Sequence, residues 1–266
     1  MTLDYLVGQI KTKSSYLCVG LDTNAEKIPK FLQSHPDAIF EFNKQIIDAT
    51  KDLCVGYKIN TAFYEAKGLK GWDAMERTVA YIPETHFKIA DAKRGDIGNT
   101  SSQYARAFFE TMNFDAITVA PYMGSDSIKP FLEYKNKWTI VLGLTSNGGS
   151  ADFQQRRMDE NYLYEVVIKK VAEWGTKENL MFVVGATKAE EIATIRKIIP
   201  NNFLLIPGVG FQGGSLSDVS THGFNSNCGL LINVSRAIIY AGADENFAQE
   251  ARTIAHQYQT EMMHYL

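Results

Sequence analysis

The chain has 266 residues, 45% apolar and 21% charged, with a net charge of −3. That composition supplies a full hydrophobic core, and no Lys/Arg run exceeds two residues, which excludes the electrostatic footprint of a nucleic-acid binder. No apolar stretch reaches the about 20 residues of a membrane span, the start MTLDYLVGQIKTK carries an acid at Asp4 and is not a secretory signal, and Cys18, Cys54 and Cys228, scattered without CxxC pairing, point to buried thiols in a reducing cytoplasm.

Along the chain, short β-rich apolar runs alternate with longer helical patterns. YLCVGLD (16–22) comes first, then the amphipathic DAIFEFNKQIIDATKDL, then VGYKIN (55–60). HFKIADAK (86–93) precedes SSQYARAFFETM, and DAITVAPY (115–122) and WTIVLGLTS (138–146) follow. ENYLYEVVIKKVAEWG leads to MFVVGAT (181–187), KAEEIATIRKII to FLLIPGVG (203–210), and CGLLINVS (228–235) is the last run. Continuous hydrophobicity, as opposed to strict alternation, suits parallel strands buried on both faces. About eight such alternations in an undivided chain predict a single-domain α/β protein, a (β/α)8 TIM barrel over residues 1–266, a class that typically runs about 250 residues. The N-terminal segment is expected to form a helix closing the barrel bottom.

Polar residues gather where these runs end. Asp22 ends the first, Lys58 and Asn60 the second, Asp91 and Lys93 the third, Thr145 and Ser146 the fifth, and Arg236 closes the eighth. The C-terminal rim is where barrel enzymes build their sites. The densest cluster is DAKRGDIGNT. Strand alternation would put Asp91 and Lys93 on one side, with Lys58 beside them and Asp96 just beyond; Gly95 would let the backbone turn away. Alternating acids and lysines suit proton delivery to carbon or stabilisation of a carbanion. The bland alternatives are an internal salt bridge for Asp91 and Lys93 and a helix cap for Asp96, a task for which Thr100 and Ser101 are better placed. PGVGFQGG (207–214), after the seventh run, and Arg236, after the eighth, occupy the usual phosphate position of such barrels. LTSNGGSADFQ (144–154) reads as a lid or a plain solvated connection. Histidines occur in no metal-binding spacing, and His86 starts its strand, at the wrong end for the site.

Together, DxKxxD in DAKRGDIGNT, the preceding GLD and YKIN, PGVGFQGG and SRAIIYA resemble the orotidine 5′-phosphate decarboxylase family, in order and spacing from Asp22 to Tyr240; TSN and VVGAT are similar to its long bacterial form. The resemblance implies cofactor-free loss of CO2 from orotidine 5′-phosphate, giving UMP in pyrimidine synthesis. It implies that Lys93 protonates C6, that Asp91 lies beside the departing CO2, and that Asp22 and Lys58 contact the ribose. Ser146, or Thr145 beside it, would contact the base; Gln212 and Arg236 would hold the phosphate with the amides of Gly213 and Gly214. Asp96 and Thr100 would be donated across a homodimer interface. Phe211 departs from the family's usual small residue. Two rivals remain: a metal-dependent sugar-phosphate decarboxylase or aldolase of the same superfamily, which needs an acid where this chain has Lys58, and a catalytically silent nucleotide-binding protein.

Overall fold

The computed structural model describes residues 1–186, 189–210 and 213–266. Among them, eight parallel strands close into a barrel: β1 (Leu17–Gly20), β2 (Gly56–Asn60), β3 (Phe87–Arg94), β4 (Ala116–Val119), β5 (Trp138–Leu144), β8 (Leu180–Val184), β9 (Phe203–Pro207) and β10 (Leu230–Val234). Each pairs with its chain neighbours and β10 returns to β1. Every apolar run of the sequence forms one of these strands. A short antiparallel ladder, β6 (Arg157–Met158) with β7 (Asn161–Tyr162), was not expected; it lies in the connection after β5.

The strands are buried nearly throughout, because helices cover the outside and side chains fill the inside. Gly56 lets β2 approach β3: a Cβ there would stand 2.6 Å from the Phe87 carbonyl oxygen. Helices Ala38–Thr50, Leu69–Tyr81, Ser125–Leu132, Leu163–Ala172, Ala189–Ile198, Leu216–Gly223 and Phe247–Met262 bury one face each on the barrel, with aromatic contacts such as Phe42 stacked on Phe247. None of the helices among the described residues is long and apolar enough to cross a membrane.

Helix α1 (Leu3–Lys13) buries Leu3, Leu6 and Ile10, one stripe at helical spacing. Its ends are tied to the N-terminal starts of the strands. The Met1 ammonium meets Asp115 Oδ1 at 2.9 Å, before β4, and Trp138 Nε1, in β5, donates to the Met1 carbonyl at 2.8 Å. At the other end Lys13 Nζ donates to the Cys54 carbonyl (2.8 Å) and the Lys51 carbonyl (2.9 Å) and lies 2.7 Å from His86 Nε2. His86 is therefore part of this opposite end, as its position at the start of its strand suggested.

The β3–β4 ladder shifts register: Ala90 pairs with Ile117, but Arg94 with Val119. Two extra residues of β3 are accommodated there, and Lys93 takes φ +46°, in the left-handed region. β3 ends at Arg94, directly before Gly95, which permits a close approach, 3.3 Å from a would-be Cβ to the Ala120 carbonyl oxygen; Gly98 beyond it also has positive φ (+45°).

Candidate active site

The charged residues at the ends of β1, β2 and β3 meet in one row. Lys58 Nζ lies 3.1 Å from Asp22 Oδ1 and 3.0 Å from Asp91 Oδ2, and Lys93 Nζ lies 2.5 Å from Asp91 Oδ1. The register delivers this: Gly20 pairs with Lys58 and Asn60 with Asp91, so consecutive strands present their last residues side by side. Asp91 and Lys93 meet as expected, but through the irregular backbone at Lys93, not simple strand alternation.

Burial alone would raise the Asp91 carboxyl's pKa; Lys58 and Lys93 beside it outweigh that and hold it well below the usual carboxylate range. Burial alone would lower the Lys58 pKa, and Asp22 and Asp91 reverse that, so its ammonium stays charged. The two lysines differ in exposure: the Lys58 side chain is 4% exposed, the Lys93 side chain 46%. Lys58 is a fixed charge inside the wall, whereas Lys93 stands at the mouth, where a ligand can reach it.

The row forms one wall of a cavity of about 280 Å³. Thr145, Ser146 and Asn147 line it after β5, Pro207, Gly208 and Val209 after β9, and Ser235, Arg236 and Ala237 after β10, while Leu142, Val183 and Leu205 add an apolar surface. Thr145 is held by its neighbours: its hydroxyl donates to Asn147 Oδ1 (2.6 Å) and its amide to Gln154 Oε1 (2.7 Å). The segment after β5 contains a 3-10 turn, Gly148–Asp152. Among the described residues no group of three or more His, Cys, Asp or Glu side chains is placed to hold a metal ion.

Asp96, Thr100, Gly213 and Gly214 are absent from the cavity lining. Asp96 does not line the cavity; its Oδ1 accepts from the Ile97 amide at 2.7 Å. Thr100 is exposed within helix Gly98–Arg106, whose first residue precedes it, so neither it nor Ser101 is the cap. The Gly213 amide donates to the Gly210 carbonyl (2.9 Å) and the Gly214 amide to the Gly208 carbonyl (3.3 Å). Gln212 and Phe211 lie outside the described residues.

Other residues were missed. Thr118 of β4 is fully buried behind the row and touches both Asp91 and the Lys93 amide. Asn147 and Asn233 line the cavity beside Asn60, which the sequence had placed at the rim, and Asn233 Oδ1 is buried without a hydrogen-bond partner among the described residues. The signal for Asn233 was there, a polar amide inside the apolar run CGLLINVS.

Residues 15–252 match the sequence profile described as the Orotidine 5′-phosphate decarboxylase / HUMPS family. The chain belongs to this family. Its matched region begins before β1 and runs past β10, so the whole barrel of this decarboxylase-family member lies inside it. The chain is 58% identical to the orotidine 5′-phosphate decarboxylase of Parabacteroides distasonis, over 100% of this chain and 96% of that one. It is 57% identical to that of Flavobacterium johnsoniae, over 98% and 97%. The solved Leishmania donovani OMP decarboxylase superposes with a TM-score of 0.82 at 35% identity, over 98% of this chain and 99% of the other.

Proposed function

We propose that this chain decarboxylates orotidine 5′-phosphate to UMP without a cofactor, the step that completes UMP in pyrimidine biosynthesis. The observation that carries the reading is the row Asp22, Lys58, Asp91, Lys93 facing a cavity that Arg236 also lines. Loss of CO2 from C6 leaves a vinyl carbanion, which needs fixed positive charge where it forms. Lys93, at the mouth, supplies that charge and then the proton, while Asp91 flanks the departing carboxylate. Lys58 and Asp22 hold the ribose, Ser146 the base, and Arg236 with Gln212 the phosphate. Binding the phosphate away from the reacting carbon provides energy that orients the ring. The apolar surface of Leu142, Val183 and Leu205 suits a departing neutral CO2.

The active form in this reading is a homodimer, with Asp96 and Thr100 reaching the partner's cavity. What supports it is that neither residue lines its own cavity, while exposed Ile97 follows Asp96 and accepts the Thr100 amide at its carbonyl. Three buried free thiols support a cytoplasmic setting. We assign the whole chain, 1–266, to one barrel domain with α1 as the closure of its lower mouth.

The metal-dependent sugar-phosphate rival needs a carboxylate where Lys58 stands, and an ammonium there repels a divalent ion. The test is loss of the orotate absorbance on adding orotidine 5′-phosphate to chelator-treated protein. Turnover unchanged by EDTA is expected. Turnover lost and then restored by Mg²⁺ favours the sugar-phosphate rival, and UMP binding without CO2 release favours the silent nucleotide binder.

A further inference from the structure

The β3–β4 ladder is interrupted where the charged row is built. Between the pairs Ala90 with Ile117 and Arg94 with Val119, three residues, Asp91, Ala92 and Lys93, face Thr118 alone. A ladder in register gives each amide a carbonyl across the gap, and inserted residues lose that supply. The Lys93 amide donates instead to Thr118 Oγ1, at 3.0 Å. The same hydroxyl lies 3.0 Å from Asp91 Oδ1. The roles are forced: an amide nitrogen only donates and an ionised carboxylate only accepts, so the hydroxyl takes the amide hydrogen and gives its own to Asp91. Both Asp91 oxygens are then committed, Oδ1 to Thr118 and Lys93, Oδ2 to Lys58. Lys93, in a backbone conformation rare for lysine, is tied at its amide to the group that fixes its carboxylate partner.

We infer that Thr118 is a positioning residue for decarboxylation. Its one hydroxyl sets the Lys93 backbone and the Asp91 carboxylate relative to each other before substrate arrives. Thr118 is fully buried and absent from the cavity lining, so it acts through those two groups and not on the substrate. The inference rests on the roles given above to Lys93 and Asp91, and the experiment separates the two.

Thr118→Val keeps the branched shape and removes the hydroxyl; Thr118→Ser keeps the hydroxyl. The measurements are kcat and KM for orotidine 5′-phosphate, the Kd for UMP and the thermal midpoint. The valine chain is expected to lose about tenfold or more in kcat with UMP affinity kept within about threefold, and the serine chain to recover kcat to within about threefold of wild type. Thr118→Ala gives the same reading should the valine chain not fold: kcat lost with UMP affinity kept supports the role, and both lost together overturn it. Valine at wild-type turnover, or serine as slow as valine, overturns it too. An Asp91→Asn chain that keeps wild-type turnover would instead remove the reading of Asp91 on which the inference stands.

Discussion

Lys58 and Lys93 carry the same ammonium and are held in opposite ways. Lys58 is clamped by two carboxylates inside the wall; Lys93 has one carboxylate partner and an exposed flank. Only the second geometry lets a group move a proton to a ligand. Lys93→Ala should therefore abolish nearly all turnover while UMP still binds, and more than a few per cent of residual turnover would defeat the proton-donor assignment. Arg236→Ala should raise the Kd for UMP by roughly tenfold to a hundredfold, the worth of a charge-assisted phosphate contact of about 1.5–3 kcal/mol. Calorimetric titration of both variants checks the split. Asp22, Lys58, Asp91 and Lys93 were legible in the sequence because charge at the end of an apolar run is costly unless used. Thr118 was not, since threonine is at home in strands and its hydroxyl gives no contrast.

Elements were readable where their environment is uniform. Each barrel strand is buried on both faces and so appears as an unbroken apolar run. The register shift in β3 could not be read, because two inserted residues change neither composition nor hydrophobicity, only which partner each amide finds. A helix at the barrel bottom was expected from the N-terminal segment, but not the long-range contacts that dock it, such as Lys13 to His86. That contact has a pH signature. Burial, with Lys13 adding repulsion, lowers the His86 pKa from 6.5 to about 4. Between those values the unfolded chain binds the extra proton and the folded one does not. Stability is thus complete above pH 6.5, falls as pH drops toward 4, and loses nothing more from this group below that. The span corresponds to on the order of 3 kcal/mol. Asp91, depressed in the folded state, contributes in a separate window, lost only below its unfolded value of about 3.9. Urea midpoints between pH 7 and 4.5 should therefore fall in wild type and flatten in His86→Gln; parallel curves would show that His86 is not the group titrating.

At the scale of the whole molecule, the proposed sharing of sites between two barrels is testable by complementation. A Lys93→Ala chain and an Asp96→Ala chain, each inactive alone, can be mixed under conditions that exchange subunits. If Asp96 serves the partner's cavity, a mixed dimer has one site with both lesions and one with neither. Random reassortment makes half the dimers mixed, so about a quarter of wild-type activity should return. Demonstrated exchange with no recovery would place both residues in the same site.

The row Asp22, Lys58, Asp91, Lys93 alternates in sign and sums to zero. The field of such a row fades with distance much faster than that of a lone charge, so mobile ions outside the cavity have little to screen. The phosphate of an approaching nucleotide is different: it is an uncompensated dianion drawn to a cation at the rim, and dissolved salt weakens that pull. Ionic strength should then divide the kinetics cleanly. KM should climb as sodium chloride is raised from 20 to about 500 mM, while kcat at saturating substrate stays level. A kcat that falls in step with KM would mean the working charges are less self-compensated than their geometry implies.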